Sequence, residues 1–197
     1  MVPGIVLAAG ASTRMGRSKA LLPCGDDGPT FVARVILALR DGGVDDVLVV
    51  GRAGDDALRL EVETHAARFV ENPRPEEGQL SSLLAGLNVA DRPGVRGVLV
   101  TPVDVPMITP RTVAALLDAF TASPAPVVRV VHRGRHGHPV IFSRAVFGEL
   151  RRADASVGAR AVVHTHASAL HDVEIDDDAV VTDVVTPADY ERLFGKL

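Results

Sequence analysis

The sequence predicts an α/β fold: a mostly parallel β-sheet covered by helices on both faces, with a small antiparallel strand pair late in the chain. Three observations carry this. Apolar runs of strand length alternate with segments of helical length along the first half of the chain. The runs are nearly continuous in Val and Leu, the pattern of parallel strands buried on both faces. Apolar residues make up 47% of the 197 positions, yet aromatics make up 4% and Trp is absent, so the core must be built from Val, Leu, Ile and Ala. The length fits one domain over 1–197.

Taken in order, residues 2–8, 46–51, 68–70 and 95–101 read as strands bounded by Gly, Pro or Asp. Helical segments lie between them at 29–41, more weakly at 55–67, and at 79–90. In the first, Phe31, Val32, Val35, Ile36 and Leu39 recur on one helical face. Strand–helix–strand alternation of this kind argues a parallel sheet covered on both sides. Thr109-Pro110 opens a helix over 111–120 and Thr186-Pro187 opens the last one at 188–197, each a hydroxyl N-cap followed by Pro in the first turn. Between these two helices, 127–131 and 139–142 read as a strand pair joined by a loop over 132–138. Residues 72–75 and 123–126 are Pro-containing loops, and no repeat, low-complexity tract or interdomain linker is visible.

Composition excludes several classes. The net charge is −4 and basic residues are scattered, with no basic stripe interleaved with aromatics, so no nucleic-acid partner is expected. The lone Cys24 excludes an intrachain disulfide. The apolar start has no basic n-region and no apolar run is long enough to cross a bilayer, so no membrane partner and a cytoplasmic location are expected.

The most informative segment is Leu7-Ala8-Ala9-Gly10-Ala11-Ser12-Thr13-Arg14-Met15-Gly16-Arg17-Ser18-Lys19. It follows the first strand directly, where open parallel sheets bind ligands. Small residues let backbone N–H groups approach phosphate oxygens. Arg14 offers a bidentate fork and Lys19 a point charge. Neither a Walker A pattern nor G-x-G-x-x-G is present, and a glycine-rich turn with two solvated cations is the rival reading. Further on, Gly78-Gln79-Leu80-Ser81-Ser82-Leu83 places two hydroxyls at a helix start. Asp104, in Pro102-Val103-Asp104-Val105-Pro106, falls at the carboxyl end of a strand, where a carboxylate can hold Mg²⁺.

The stretch from Leu7 to Lys19 resembles the signature loop of the NTP-transferase family with a Rossmann-like fold, L-A-A-G-x-S-x-R-M-G-x-x-K, at every fixed position. The nearest resemblance is to the MobA-like members, and among them to the molybdenum cofactor cytidylyltransferase branch, which has Ala at the third motif position (Ala9 here) where the guanylyltransferase branch usually has Gly. The resemblance implies a three-layer α/β/α sheet of the nucleotide-diphospho-sugar transferase type. It implies an Mg²⁺-dependent nucleotidyltransferase in which Arg14, Lys19 and Asp104 are catalytic. Leu7, Ala8, Ala9 and Gly10, with Gly78, Ser81 and Ser82, would bind the nucleotide. Gly134-Arg135-His136-Gly137-His138-Pro139-Val140 resembles the segment on the acceptor side, where Gly137 and His138 would bind the acceptor. A structural turn histidine is the equal alternative for His138. The implied partners are an NTP (CTP by the Ala9 reading), a small phosphorylated acceptor such as molybdenum-loaded molybdopterin, and a client molybdoenzyme or chaperone.

Two departures fall in the acceptor half. Relatives show D-[IV]-[DN]-T-P-E-D where this chain has Asp183-Val184-Val185-Thr186-Pro187-Ala188-Asp189, so Val185 stands where a metal-holding Asp or Asn is expected. In an extended segment Asp183 shares a face with position 185 and can reach a similar place, giving Asp104 and Asp183 as the expected metal pair. Ser156 stands where G-D-x-G-A-R has Asp, with Asp154 two residues earlier. Two other classes stay open: a nucleotide-binding protein without turnover, and an NAD(P)H-dependent oxidoreductase on the same scaffold. Against the second, no dinucleotide fingerprint follows the first strand.

Overall fold

The computed structural model describes residues 1–12 and 15–196. Its centre is a seven-stranded sheet. Strands β1 (Gly4–Leu7), β2 (Val47–Arg52), β3 (Arg68–Asn72) and β4 (Gly97–Pro102) are joined through helices α1 (Phe31–Asp41), α2 (Asp56–Thr64) and α3 (Gln79–Ala90). Helix α4 (Pro110–Ala122) leads to β5 (Val127–His132) and β6 (Arg135–Ser143); α5 (Phe147–Arg152), α6 (Arg160–Thr165), β7 (His171–Glu174) and α7 (Pro187–Phe194) follow. The strand order is β3-β2-β1-β4-β6-β5-β7. Strand β6 alone runs against its neighbours, pairing antiparallel with both β4 and β5, while β7 pairs parallel with β5.

Alternation along each central strand sends successive side chains to opposite faces. Val6, Val49 and Leu99 join one core with α1, α2, α4 and Tyr190 of α7. Ile5, Leu48, Val50, Val98 and Val100 join a second core with α3, α5 and α6. The result is three layers, α/β/α. Contact in the second layer is close: a Cβ on Gly86 of α3 would come within 2.6 Å of Ile5 Cγ2. Each buried Leu, Ile, Val or Phe side chain contributes about 1.5–3 kcal/mol.

The helix starts follow the sequence. Thr30, Thr109 and Thr186 each accept a backbone N–H three residues on, and Thr186 with Asp189 forms a capping box. Two expectations need correction. The segment 132–138 is not a loop: β5 ends at His132, β6 starts at Arg135, and only Arg133-Gly134 turns between them. Both turn residues have positive φ, 50° and 78°, the combination that matches the twist of a two-residue hairpin. The polar run Arg135–His138 reads as loop because its strand pairs at the rim of the sheet. Strand β7 and helices α5 and α6 were not anticipated; each is short, and β7 is an edge strand in which half-buried residues alternate with exposed ones.

Candidate active site

Strands β1 and β4 are parallel neighbours in register, Leu7 opposite Pro102. The Val103 N–H continues the ladder to the Leu7 carbonyl at 3.1 Å. The loop after β1 and the loop carrying Asp104 therefore leave the sheet side by side. Within the first loop, Ala9 is buried, Ala8 and Leu7 are half-buried and Gly10 is exposed. Arg52 at the end of β2 holds the loop by donating to the Ala9 carbonyl at 3.0 Å. Ser12 closes its far side: its carbonyl accepts from the N–H groups of Met15 and Gly16, and its hydroxyl accepts from the Lys19 N–H at 3.2 Å. Arg14, expected to grip phosphate, lies outside the described residues.

Lys19 crosses the mouth of this loop. Its Nζ donates to Asp104 Oδ2 at 3.1 Å and to the Val184 carbonyl at 3.4 Å. The Val184 N–H in turn donates to the Asp104 carbonyl at 2.8 Å. The C-terminal segment before α7 is thereby docked on β4, with Asp183 exposed and Val185 half-buried on either side of the buried Val184. His138, at the start of β6, feels Asp104, Asp183 and Arg160 together. Burial pulls its ring below the ordinary histidine range, a loss that the two carboxylates oppose and Arg160 reinforces. Its Nδ1 is buried without a hydrogen-bond partner among the described residues.

The other expected residues fall around the same edge. Gly78, with φ +91°, is the N-cap of α3. The Ser81 and Ser82 hydroxyls are engaged within the protein: Asn72, 1% exposed, donates to both, at 2.8 and 3.0 Å, and the single Ser81 hydroxyl proton is within reach of two acceptors, the carbonyls of Arg74 and Gly78. Gly137 meets the 3-10 turn Asp178–Val181, whose Val180 carbonyl oxygen lies 2.1 Å from where a Cβ would stand. Only glycine permits that approach. Asp154 is exposed, and hydrogen bonds from the Ser156 hydroxyl and N–H at 2.6 and 2.8 Å hold its carboxyl below the usual range and close the loop before α6.

Between α3, β6 and that loop opens a cleft of about 630 Å³. Leu7, Leu80, Leu83, Val100 and Phe142 form apolar wall, while Gln79, His136, His138, Ser156, Arg160 and His164 bring polar groups. Sequence reasoning missed Ser12, Arg52 and Asn72 as the residues that shape the two loops. Asn72 carries the one usable signal, a polar side chain ending a strand and followed by Pro.

The sequence profile of the MobA-like NTP transferase domain matches residues 4–172. The chain belongs to this family. A probable molybdenum cofactor guanylyltransferase of Mycobacterium avium is 28% identical over 96% of this chain and 93% of its own length. The nicotine blue oxidoreductase of Paenarthrobacter nicotinovorans is 31% identical over 98% of this chain and 96% of its own. The structure of Rv0371c from Mycobacterium tuberculosis in complex with manganese superposes with a TM-score of 0.78 at 28% identity, covering 100% of this chain and 99% of that one. The family membership accounts for the architecture: the MobA-like sheet sets the β1 loop and the Asp104 loop on one edge, with the cleft alongside. Among the described residues no helix is long and apolar enough to cross a membrane.

Proposed function

We propose that this MobA-like chain transfers an NMP unit from an NTP to a phosphorylated acceptor lying in the 630 Å³ cleft. The observation that carries the reading is the meeting of Lys19 and Asp104 at 3.1 Å where two parallel strands end. In the reaction an acceptor phosphate oxygen bonds to the α-phosphorus, the bond from that phosphorus to the bridging oxygen breaks, and pyrophosphate leaves. Positioning and charge stabilisation supply the catalysis. Lys19 and Arg14 hold the phosphates, the backbone of Leu7 to Gly10 with the entrance of α3 at Gly78, Ser81 and Ser82 cradles base and ribose, and Gly137 and His138 border the acceptor.

The cation is Mg²⁺, with Asp104 and Asp183 as its ligands. Among the described residues no three His, Cys, Asp or Glu groups are arranged to hold a metal. Mg²⁺ does not need three, because it keeps several waters and is bound through one or two carboxylates plus substrate phosphates. When bound it neutralises phosphate charge during the displacement.

The base is cytosine on the reading of Ala9, and the acceptor is molybdenum-loaded molybdopterin, by the names of the relatives. Those names also favour GTP as the rival. Pyrophosphate release, measured with each of the four NTPs with and without that acceptor, tests the whole reading. Acceptor-dependent release with CTP alone is expected. Release with GTP alone overturns the reading of Ala9, and silence with all four overturns turnover and leaves nucleotide binding. The oxidoreductase name of one relative is answered by the same protein mixed with NAD(P)H and a quinonoid dye, where no absorbance change is expected.

A further inference from the structure

We propose that Lys19 is a latch on Asp104: while the nucleotide is absent the ammonium occupies the carboxylate, and the site takes a divalent cation only after a triphosphate draws Lys19 away. The inference rests on the roles given above to these two residues, and it adds an order of binding to them. The pair is held from three sides. Lys19 Nζ lies 3.1 Å from Asp104 Oδ2 and 3.4 Å from the Val184 carbonyl, so two of its three N–H donors are engaged. The Val184 carbonyl is kept there because the N–H of Val184 itself donates to the Asp104 carbonyl at 2.8 Å. The backbone of the lysine is fixed by Ser12. The Lys19 side chain is 14% exposed and that of Asp104 26%, so solvent screens the pair less than a surface ion pair.

Charge decides what this means for a cation. The Val185 side chain offers no oxygen ligand, which leaves Asp104 and the exposed Asp183 as the two carboxylates assigned to the cation among the described residues. With Lys19 in place the two carboxylates and the ammonium present half the negative charge that the carboxylates would present alone. They also present one free carboxylate instead of two. A triphosphate offers the ammonium several anionic oxygens in exchange for one, and in leaving it exposes Asp104 as the cation arrives on the same phosphates. Nucleotide and cation then enter cooperatively, each improving the site for the other.

Binding of Mn²⁺ to the nucleotide-free protein, followed by the loss of the free-ion electron paramagnetic resonance signal, tests the latch without any turnover. Lys19→Met is expected to bind Mn²⁺ at least tenfold more tightly than the wild type, and Lys19→Met with Asp104→Asn to fall back to the wild-type value. Lys19→Gln, measured beside it with circular dichroism on all variants, serves if the methionine variant does not fold. Arg17→Met removes a charge from the exposed part of the same loop and is expected to change Mn²⁺ affinity less than twofold. Equal affinity of Lys19→Met and wild type overturns the latch, as does a tight Mn²⁺ site that survives Asp104→Asn. A gain from Arg17→Met as large as that from Lys19→Met overturns it too, since general charge then explains the effect. The pyrophosphate assay on the wild type judges the nucleotidyl-transfer reading separately, because no nucleotide enters the Mn²⁺ measurement.

Discussion

The hydroxyl of Tyr190, in the C-terminal helix, donates a 2.9 Å hydrogen bond to the carbonyl of Pro23, just beyond the β1 loop. The two residues stand 167 positions apart, and the bond closes the fold around the candidate site. Tyr190 also packs with Phe31 and Phe194, ring centroids 5.2–6.1 Å apart, so three of the seven aromatic residues gather at this one junction. The junction fixes α7, and through it the segment that docks Val184 on Asp104. Tyr190→Phe keeps the packing and loses the bond, for an expected cost of about 1 kcal/mol. Tyr190→Ala loses both, for about 3–5 kcal/mol. Urea unfolding midpoints of the two variants check this; equal losses would show that the ring packing contributes nothing.

Gly137 touches the site from the other side. A methyl group there would overlap the Val180 carbonyl oxygen, a backbone atom held in a 3-10 turn, so β6 and that turn must separate. Gly137→Ala is expected to cost about 1–3 kcal/mol, the usual range for overpacking. It also shifts His138, so the KM for acceptor should rise more than the KM for NTP. Paired thermal melts and steady-state kinetics read both effects.

The parallel half of the fold was legible because its signals are local and strong. Val and Leu runs bounded by Gly, Pro and Asp gave β1 to β4, and the Thr-Pro pairs gave the starts of α4 and α7. The rest depended on partners distant in the chain. Arg135 to His138 looks like a loop until β5 pairs with it, and His171 to Glu174 becomes a strand only because the edge of β5 is open to it. The candidate site divides the same way. Lys19 was visible as a cation in the loop after β1 and Asp104 as a carboxylate after β4, whereas their ion pair depends on how that long loop turns back, through Ser12 and the 3-10 turn Lys19–Leu21, toward the end of β4. The serines at the entrance of α3 were visible, but their bonding to Asn72 was not, since it depends on how the short connection through the 3-10 turn Pro75–Glu77 folds α3 back onto the end of β3.

Asn72 gives a prediction of its own. Its amide bonds Ser81 and Ser82, and its carbonyl accepts from the Arg74 N–H at 2.9 Å, so one buried side chain ties β3, the following loop and α3 together. Asn72→Ala leaves the buried Ser82 hydroxyl and the Arg74 N–H without these partners, at about 1–3 kcal/mol for each group left unsatisfied. The entrance of α3 then loosens. The expected kinetic result is a several-fold rise in the KM for NTP with a smaller change in kcat, and an unchanged KM would remove the α3 entrance from nucleotide binding.

Cys24 predicts a pH dependence. Burial pushes its thiol up to about 11, while Arg34 pulls it weakly the other way. An unfolded chain releases the proton from an ordinary thiol near pH 8.5. Below that pH the thiol contributes equally to both states. Between about 8.5 and 11 the unfolded chain ionises first, so the folded state loses stability as pH rises. Cys24→Ser removes that component, and urea midpoints from pH 8 to 11 should fall less steeply for the variant than for the wild type. Iodoacetamide should react with native Cys24 along a pH curve centred near 11 instead of near 8.5.

Asp104→Asn separates the two duties of the carboxylate, pairing Lys19 and holding the cation. The amide keeps the shape and can still accept from the Lys19 ammonium through its oxygen, so the fold should persist with a small change in melting temperature. As a ligand for Mg²⁺ the amide is neutral, and the remaining carboxylate, Asp183, is exposed to competing water. Loss of an outer-shell partner of a bound metal already costs about 10–100-fold, so loss of the ligand itself should lower kcat at least about 100-fold. The KM for NTP should stay level or fall, because an uncharged partner releases Lys19 to the phosphates more readily than a carboxylate does. Steady-state pyrophosphate release at saturating Mg²⁺ reads both numbers. A variant that keeps its kcat would move the cation site away from the end of β4, and a KM that rises with the fall in kcat would show that Asp104 positions the nucleotide as well as the metal.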